Sequence, residues 1–340
     1  MRRWGWGSLV LTIGGSVLVW AVLAAASLCV GSSGDLGWPG RQVYEIRSEW
    51  VYMASLVGAA LAAAGVVYQA ILRNPLADPY LLGISSGASL FAYLWRFPVV
   101  AGVLGVLSTS SGRALSQQAF AFAGAMVAVA VVFTLASSRG RLEPITLLLV
   151  GVIVNAVNGS IFLLISELAK DLPNSGGPMT FLVGRIQTNL TPAQEWAAAW
   201  VIGVGWAVLL YLSGELSVAV LGTAEAEALG VRIQRLRWIG LIVASLVTAS
   251  AVAISGPIGF VGLVCPHLAR LMVGTDHRKV FPVATGLGAG LLAVADAGSR
   301  FMARETMAGT WPAVGVVTGL VGGPFFLALL WRTRLSGIEE

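Results

Sequence analysis

Residues 214–237 read GELSVAVLGTAEAEALGVRIQRLR, and they interrupt an otherwise apolar part of the chain. Glu215, Glu225, Glu227, Arg232, Arg235 and Arg237 crowd into this block, between apolar runs at 195–213 and 238–255. Ala, Glu and Leu around Thr223 to Leu229 favour helix, and Gly222 and Gly230 stand where a short helix would start and stop. The block therefore predicts a short helix, a glycine break and a basic lead into the next apolar run. On composition alone it reads first as a solvated loop between two membrane helices. The chain around it must decide whether it is also a docking surface.

Of the 340 residues, 57% are hydrophobic and only 11% charged, with a mean hydropathy of +0.83. A soluble domain carries about 25% charged residues. This chain must lie in a lipid bilayer, and no stretch is long or polar enough to form a separate soluble domain. Residues 1–340 are read as one transmembrane domain with the 214–237 loop inside it. The formal charge of +5 comes from basic residues in short loops. Such residues orient helices and do not point to nucleic acid. Forty-two glycines suggest closely packed helices, because small residues let backbones approach in lipid. Cys29 and Cys265 sit in apolar surroundings and read as packed hydrophobes.

The chain begins with Arg2 and Arg3 and an apolar core over 8–30. That core is longer than the roughly 7–15 residues of a secretory signal, so it reads as a first, uncleaved span. Further apolar runs cover 50–72, 80–107, 118–137, 144–167, 195–213, 238–255, 256–273, 280–303 and 311–331. Ten spans result, an all-α polytopic architecture. Arg96 and Pro98 disturb the third run, and Gly256-Pro257 and Cys265-Pro266 break the eighth. A piece around 178–186 is too short to span and reads as a re-entrant or surface helix.

Ten spans place both termini on one side. With the N-terminus inside, the inner loops carry Arg2, Arg3, Arg73, Arg139, Arg141, Arg232, Arg235, Arg237, Arg270, Arg278, Lys279, Arg332 and Arg334, a majority of the 21 basic residues. That bias supports cytoplasmic N- and C-termini and puts 214–237 in the cytoplasm.

Several chemistries are missing. A P-loop needs Gly-x-x-x-x-Gly-Lys-Ser/Thr. The only lysines, Lys170 and Lys279, lie in no such context, so the chain is not expected to bind ATP that way. Ion-coupled carriers keep ionisable residues within their spans. Here Glu167 and Asp296 lie towards the ends of theirs. Asn155 and Asn158, three apart, share a helix face and read as interhelical hydrogen bonding or as the polar lining of a pore. His267 and His277 complete no metal site, and no catalytic constellation is evident. A helical bundle without a motor and with one structured inner loop suggests a motor on another chain.

Three stretches carry a family resemblance. The first is Arg73-Asn74-Pro75-Leu76-Ala77-Asp78-Pro79 with Leu82-Gly83-Ile84-Ser85-Ser86-Gly87-Ala88. The second is Gly256-Pro257-Ile258-Gly259-Phe260-Val261-Gly262-Leu263-Val264-Cys265-Pro266-His267, with Arg270 and Asp276-His277-Arg278. The third is Gly315-Val316-Val317-Thr318 with Gly323-Pro324-Phe325-Phe326. From about residue 45 to 331 the chain resembles the FecCD-type permeases of bacterial ABC importers for ferric siderophores, haem and vitamin B12.

The resemblance implies a type II importer permease in the bacterial inner membrane, built as a homodimer of ten-helix subunits. Two ATPase subunits, which bind ATP and magnesium, would lie below, and a periplasmic binding protein would dock above. The permease itself would hold no cofactor. The loop between spans six and seven would be the ATPase-coupling element. Gly222, Ala226, Leu229 and Gly230 match the family pattern there, and Glu225 lies among them. Arg47 and Arg300 match binding-protein docking positions, although Glu49 and Trp50 replace the proline and second arginine of the usual Arg-x-Pro-Arg. Pro312 also stands one residue further from Gly315 than in the family. Spans five and ten and the 178–186 piece would line the path, with Asn155, Asn158 and Thr318 on it and an inner gate at Pro144, Ile145 and Thr146. The implied cargo is an iron chelate, haem or a ferric siderophore, with a corrinoid as the alternative. Arg113, Arg185 and Arg304 would suit an anionic chelate or docking. A stand-alone carrier or channel is the reading from a different class.

Overall fold

Seven helices among the described residues are long and apolar enough to cross a bilayer, and three shorter apolar helices complete the ten runs. They belong to a computed structural model that describes residues 6–31, 36–97, 110–138, 141–169, 179–220, 222–302 and 312–336. The long helices are α1 (Trp6–Leu28), α2 (Arg41–Ile71), α4 (Ser110–Ala136), α5 (Pro144–Leu168), α7 (Pro192–Ala219), α9 (Ile233–Ser255) and α11 (His277–Met302). The other apolar helices are α3 (Ile84–Leu94), α10 (Val261–Val273) and α12 (Val314–Ser336). Two short helices, α6 (Met179–Leu182) and α8 (Thr223–Ala228), lie in connections. One two-residue antiparallel pair, Ser137–Ser138 with Arg141–Leu142, joins α4 to α5.

Helix α2 is the centre of the bundle. At about 1.5 Å per residue it is longer than the bilayer core needs, and its residues from Val51 to Ile71 are nearly all buried. Glycines make that crowding possible. A Cβ on Gly65 would stand 1.9 Å from the Gly262 carbonyl oxygen of α10, and one on Gly58 would stand 2.1 Å from that of Gly288 in α11. Backbone therefore packs on backbone, the small-residue mode of association in lipid. Helix α5 is the opposite case. Only Leu147, Gly151 and Phe162 are buried along it, while Leu149, Val152, Ile153, Val157 and Leu164 point outward.

Two expectations change, and the disturbance expected in the third run is present. Among its described residues the third run is α-helical over Ile84–Leu94. Phe97 precedes Pro98, which disfavours helix there, and Tyr93 packs its ring against Phe97, Phe162 and Phe181 instead. Residues 98–107 of that run lie outside the described residues. The 178–186 piece is helical only over Met179–Leu182. Its backbone then bonds outward: Gly184 N–H donates to Pro257 O (2.7 Å), Arg185 N–H to Ser255 O (2.7 Å), and Gly184 O accepts from Gly315 N–H (3.0 Å). Cys265-Pro266 does not break α10. Proline removes the donor that would serve the Gly262 carbonyl, and the Gln69 side chain supplies one from α2, at 3.3 Å.

The α2–α3 connection does not stay at the membrane surface. Residues Pro79–Leu82 form a 3-10 turn, with Asp78 capping Tyr80 N–H at 3.0 Å. The turn packs on α5 at Gly151, where a Cβ would stand 2.1 Å from Leu81 O. That point lies roughly 10 Å along α5 from its start. Irregular backbone at such depth must be satisfied by protein.

Candidate functional site

Helix α8 is a six-residue cap on one end of the bundle. Only Ala226 is buried; Glu225, Glu227 and Leu229 face outward, Leu229 with 55% of its surface free. The helix ends in a Schellman motif. Val231 N–H donates to Ala226 O (3.0 Å) and Gly230 N–H to Glu227 O (2.9 Å). That closure requires a left-handed residue, and Gly230 has φ +85°, which glycine adopts without a Cβ clash. Gly222 opens the helix, its carbonyl accepting from Ala226 N–H at 3.1 Å. The turn is thus built as a fixed shape.

Arg73 ties it down, and Arg237 ties the neighbouring α9 to the α4–α5 connection. Arg73 ends α2 in the same left-handed position, at φ +49°, where a non-glycine residue is strained by about 1–2 kcal/mol. Its guanidinium reaches across to donate to Ala219 O (2.9 Å), near the end of α7, and to Thr223 Oγ1 (3.3 Å), at the start of α8. Arg237, one turn into α9, donates to Leu142 O at 3.2 Å. Gln234 Oε1 accepts from Leu142 N–H at 3.3 Å. Arg232 and Arg235 are exposed and Arg237 is half-buried, so the three do not share one role. Sequence reasoning missed Arg73 and Gln234 as anchors. The one visible signal for Arg73 was an arginine where a helix C-terminus calls for glycine.

The residues expected on the path are placed as follows. Asn155 Nδ2 donates to Tyr80 O (2.6 Å) and Asn158 Nδ2 to Ser86 Oγ (3.2 Å). These amides hold the inserted 3-10 turn and the start of α3, as interhelical hydrogen bonds do. Thr318 is buried, and its hydroxyl donates back to Gly315 O at 3.2 Å. Pro144 opens α5, Thr146 donates to Glu143 Oε2 (3.2 Å), and Ile145 is 75% exposed. Pro144 to Thr146 therefore sit beside the α9 anchor, on the same end as α8. Asn155 and Asn158 lie deeper in the bundle.

At the other end, Arg47 donates to Leu28 O (2.7 Å), tying α2 to α1. Arg300 does not present itself to a partner. It is 5% exposed, its Nε donates to Asp296 Oδ2 at 2.9 Å, and its guanidinium lies 5.6 Å from the Trp50 ring centroid. Trp50, which stands where the family pattern has its second arginine, thus offers Arg300 an aromatic face. The docking expectation for Arg300 does not fit this geometry. Replacing Asp296 by Leu strands a buried guanidinium and is expected to cost about 3–5 kcal/mol, read as a lowered unfolding temperature in detergent. The double change Asp296→Leu with Arg300→Leu should recover much of that loss.

Pro312, one residue from its family position, accepts from Ser299 Oγ and leads directly into α12. His277 N–H donates to Ser217 Oγ at 2.9 Å, and the Ser217 hydroxyl donates to Asp276 Oδ1 at 3.2 Å, so this pair fastens α11 to α7. Among the described residues no group of three His, Cys, Asp or Glu is placed to hold a metal ion. Arg304 lies outside the described residues, as does the side chain of Arg113. Arg185 is exposed.

The FecCD transport family model matches residues 9–332. The chain belongs to that family. The FecCD assignment agrees with individual relatives. The cobalamin import system permease protein BtuC of Halobacterium salinarum is 39% identical, over 84% of this chain and 72% of its own length. The hemin transport system permease protein HmuU of Yersinia pestis is 33% identical, over 96% and 93%. A solved structure described as an inward-facing conformation of a metal-chelate type ABC transporter superposes with a TM-score of 0.76. It is 28% identical and covers 94% of this chain and 98% of its own. The FecCD fold is thus a multi-pass transporter permease.

Proposed function

We propose that this chain is the permease subunit of an ATP-binding cassette importer that moves an iron chelate, haem or a ferric siderophore, inward across the bacterial inner membrane. The carrying observation is the family match over nearly the whole chain, joined to relatives named for hemin and cobalamin transport. Both termini and α8 lie on the cytoplasmic side, where a separate ATPase binds ATP and magnesium. The coupling element is Gly222, Glu225, Ala226, Leu229 and Gly230, of which Leu229 and Glu225 offer side chains, the glycines hold the shape and the buried Ala226 seats the helix on the bundle. A rigid short helix passes on a rigid-body displacement, whereas a loose loop absorbs it.

The outward apolar faces of α5 and α12, Leu149, Val152, Leu320 and Val321 among them, meet a second copy of the chain and lipid. The path runs between the copies, past Asn155, Asn158 and Thr318, and narrows inside at Pro144, Ile145 and Thr146. Arg47 remains the docking candidate for a periplasmic binding protein. A corrinoid is the second reading, favoured by the higher identity to the cobalamin permease.

The test is reconstitution of the chain with its ATPase and binding protein in proteoliposomes. Haemin, a ferric catecholate siderophore and cyanocobalamin would be supplied in turn. ATP-dependent accumulation of haemin or the siderophore is expected. Accumulation of cyanocobalamin alone would transfer the assignment to the corrinoid reading.

A further inference from the structure

The 214–237 loop and the start of α5 are far apart in sequence, yet one residue joins them. Both backbone groups of Leu142 are taken by the first turn of α9: its N–H by Gln234 Oε1 at 3.3 Å, its carbonyl by Arg237 Nη1 at 3.2 Å. The two peptide groups that flank Leu142 are thus both tied to a single helical turn. The Leu142 side chain is itself 1% exposed and packs in the main apolar core with Leu147, Ile233 and Leu236. A ring contact extends the joint, with Trp238 of α9 edge-on to Phe133 of α4 at 5.8 Å. On one side, α9 connects to α8 through only four residues, Leu229 to Arg232. On the other, Leu142 is two residues from Pro144, where α5 begins, and Ile145 there points outward with 75% of its surface free. Leu142 also belongs to the strand pair, opposite Ser137, with Ser138 opposite Arg141, so the joint includes the end of α4.

We infer that Gln234 and Arg237 are positioning residues that carry displacement of α8 through Leu142 to the inner end of α5, so that an ATPase bound at α8 moves the Pro144–Thr146 constriction. This rests on the coupling role proposed for α8. Arg237 thus acts as a backbone clamp, its guanidinium able to hold a carbonyl in fixed direction where a lysine would hold it loosely.

The test uses the full transporter, with its ATPase, in proteoliposomes. Cys29→Ser removes the partly exposed native thiol, and Cys265 is buried. Ile145→Cys then reports the α5 start through its rate of reaction with a membrane-impermeant maleimide, with and without ATP, magnesium and vanadate. Separately, Leu229→Cys is cross-linked to the ATPase with a short bifunctional thiol reagent. The parent rate should change several-fold on nucleotide trapping. In the Gln234→Leu, Arg237→Met double variant that change should be lost while the Leu229→Cys cross-link and ATP hydrolysis persist. Arg237→Lys, which keeps one donor, should retain part of it.

A full nucleotide response in the double variant would overturn the inference, as would an unchanging parent rate. If the double variant does not assemble, Gln234→Leu alone must show a reduced response, and an undiminished one overturns the inference. Failure of the Leu229→Cys cross-link in the parent instead removes the coupling role of α8. A formed cross-link with an undiminished response removes only the joint.

Discussion

Gly65→Ala is expected to destabilise the folded protein severely, although it adds one methyl group. The new Cβ would lie 1.9 Å from the Gly262 carbonyl oxygen and 2.7 Å from its Cα. Both are backbone atoms of another helix, so no rotamer change relieves the clash. Overpacking a core commonly costs about 1–3 kcal/mol, and here α2 must part from α10 as a rigid body. The separation would also stretch the Gln69 bond that satisfies Gly262 across the Pro266 gap. Loss of a monodisperse peak in detergent would check it, or an unfolding temperature lowered by many degrees. Gly203→Ala in α7 is the control: a Cβ there meets nothing within 4 Å, and it should behave as the parent. An equal response of the two variants would mean that the α2–α10 approach does not hold the bundle together.

The contrast between those glycines shows what the sequence can and cannot display. Glycine abundance in apolar runs signals close packing, but it does not say which glycines meet. Gly65 and Gly262 lie in spans almost two hundred residues apart. The ten runs themselves were legible, because hydropathy over some twenty residues reports burial in lipid directly. Element ends were harder. Pro266 looked like a break, and only the distant Gln69 makes it tolerable. The 178–186 piece looked helical, and its backbone is taken by Ser255, Pro257 and Gly315 instead. The α8 turn was the most readable part of the candidate site, since Gly222 and Gly230 are local signals of helix start and stop. The anchors of that region were not readable, because Arg73 and Arg237 serve the carbonyls of Ala219 and Leu142, and a carbonyl leaves no mark in a sequence. Arg300 matched a docking position, yet burial beneath Trp50 is decided by packing. The pair Asn155 and Asn158 could be placed on one face, but not the inserted turn they hold.

Leu229→Glu is expected to release the ATPase. Leu229 is the largest apolar side chain presented by the α8 turn, with 55% of its surface free. An anchor of this kind at an interface centre is worth about 2 kcal/mol or more when lost, a fall in affinity of roughly thirtyfold. The carboxylate introduced at 229, buried and unpaired in the interface, would add to that. Co-purification of the ATPase with the tagged permease should therefore drop below detection after washing. The helical content and the unfolding temperature of the permease should not change. Gly230→Glu differs in kind: at φ +85° any side chain is strained, so that variant would disturb the α8 closure as well as the contact. Unaltered ATPase recovery with Leu229→Glu would place the motor elsewhere on the surface.

The dependence on a second chain for energy can be measured outright. The purified permease alone, and the permease with its ATPase and binding protein, are placed in sealed proteoliposomes with haemin outside and ATP within. Accumulation against a gradient is expected only in the second preparation, and only with ATP. Accumulation by the permease alone, driven by a proton or sodium gradient, would contradict an importer driven through the 214–237 loop.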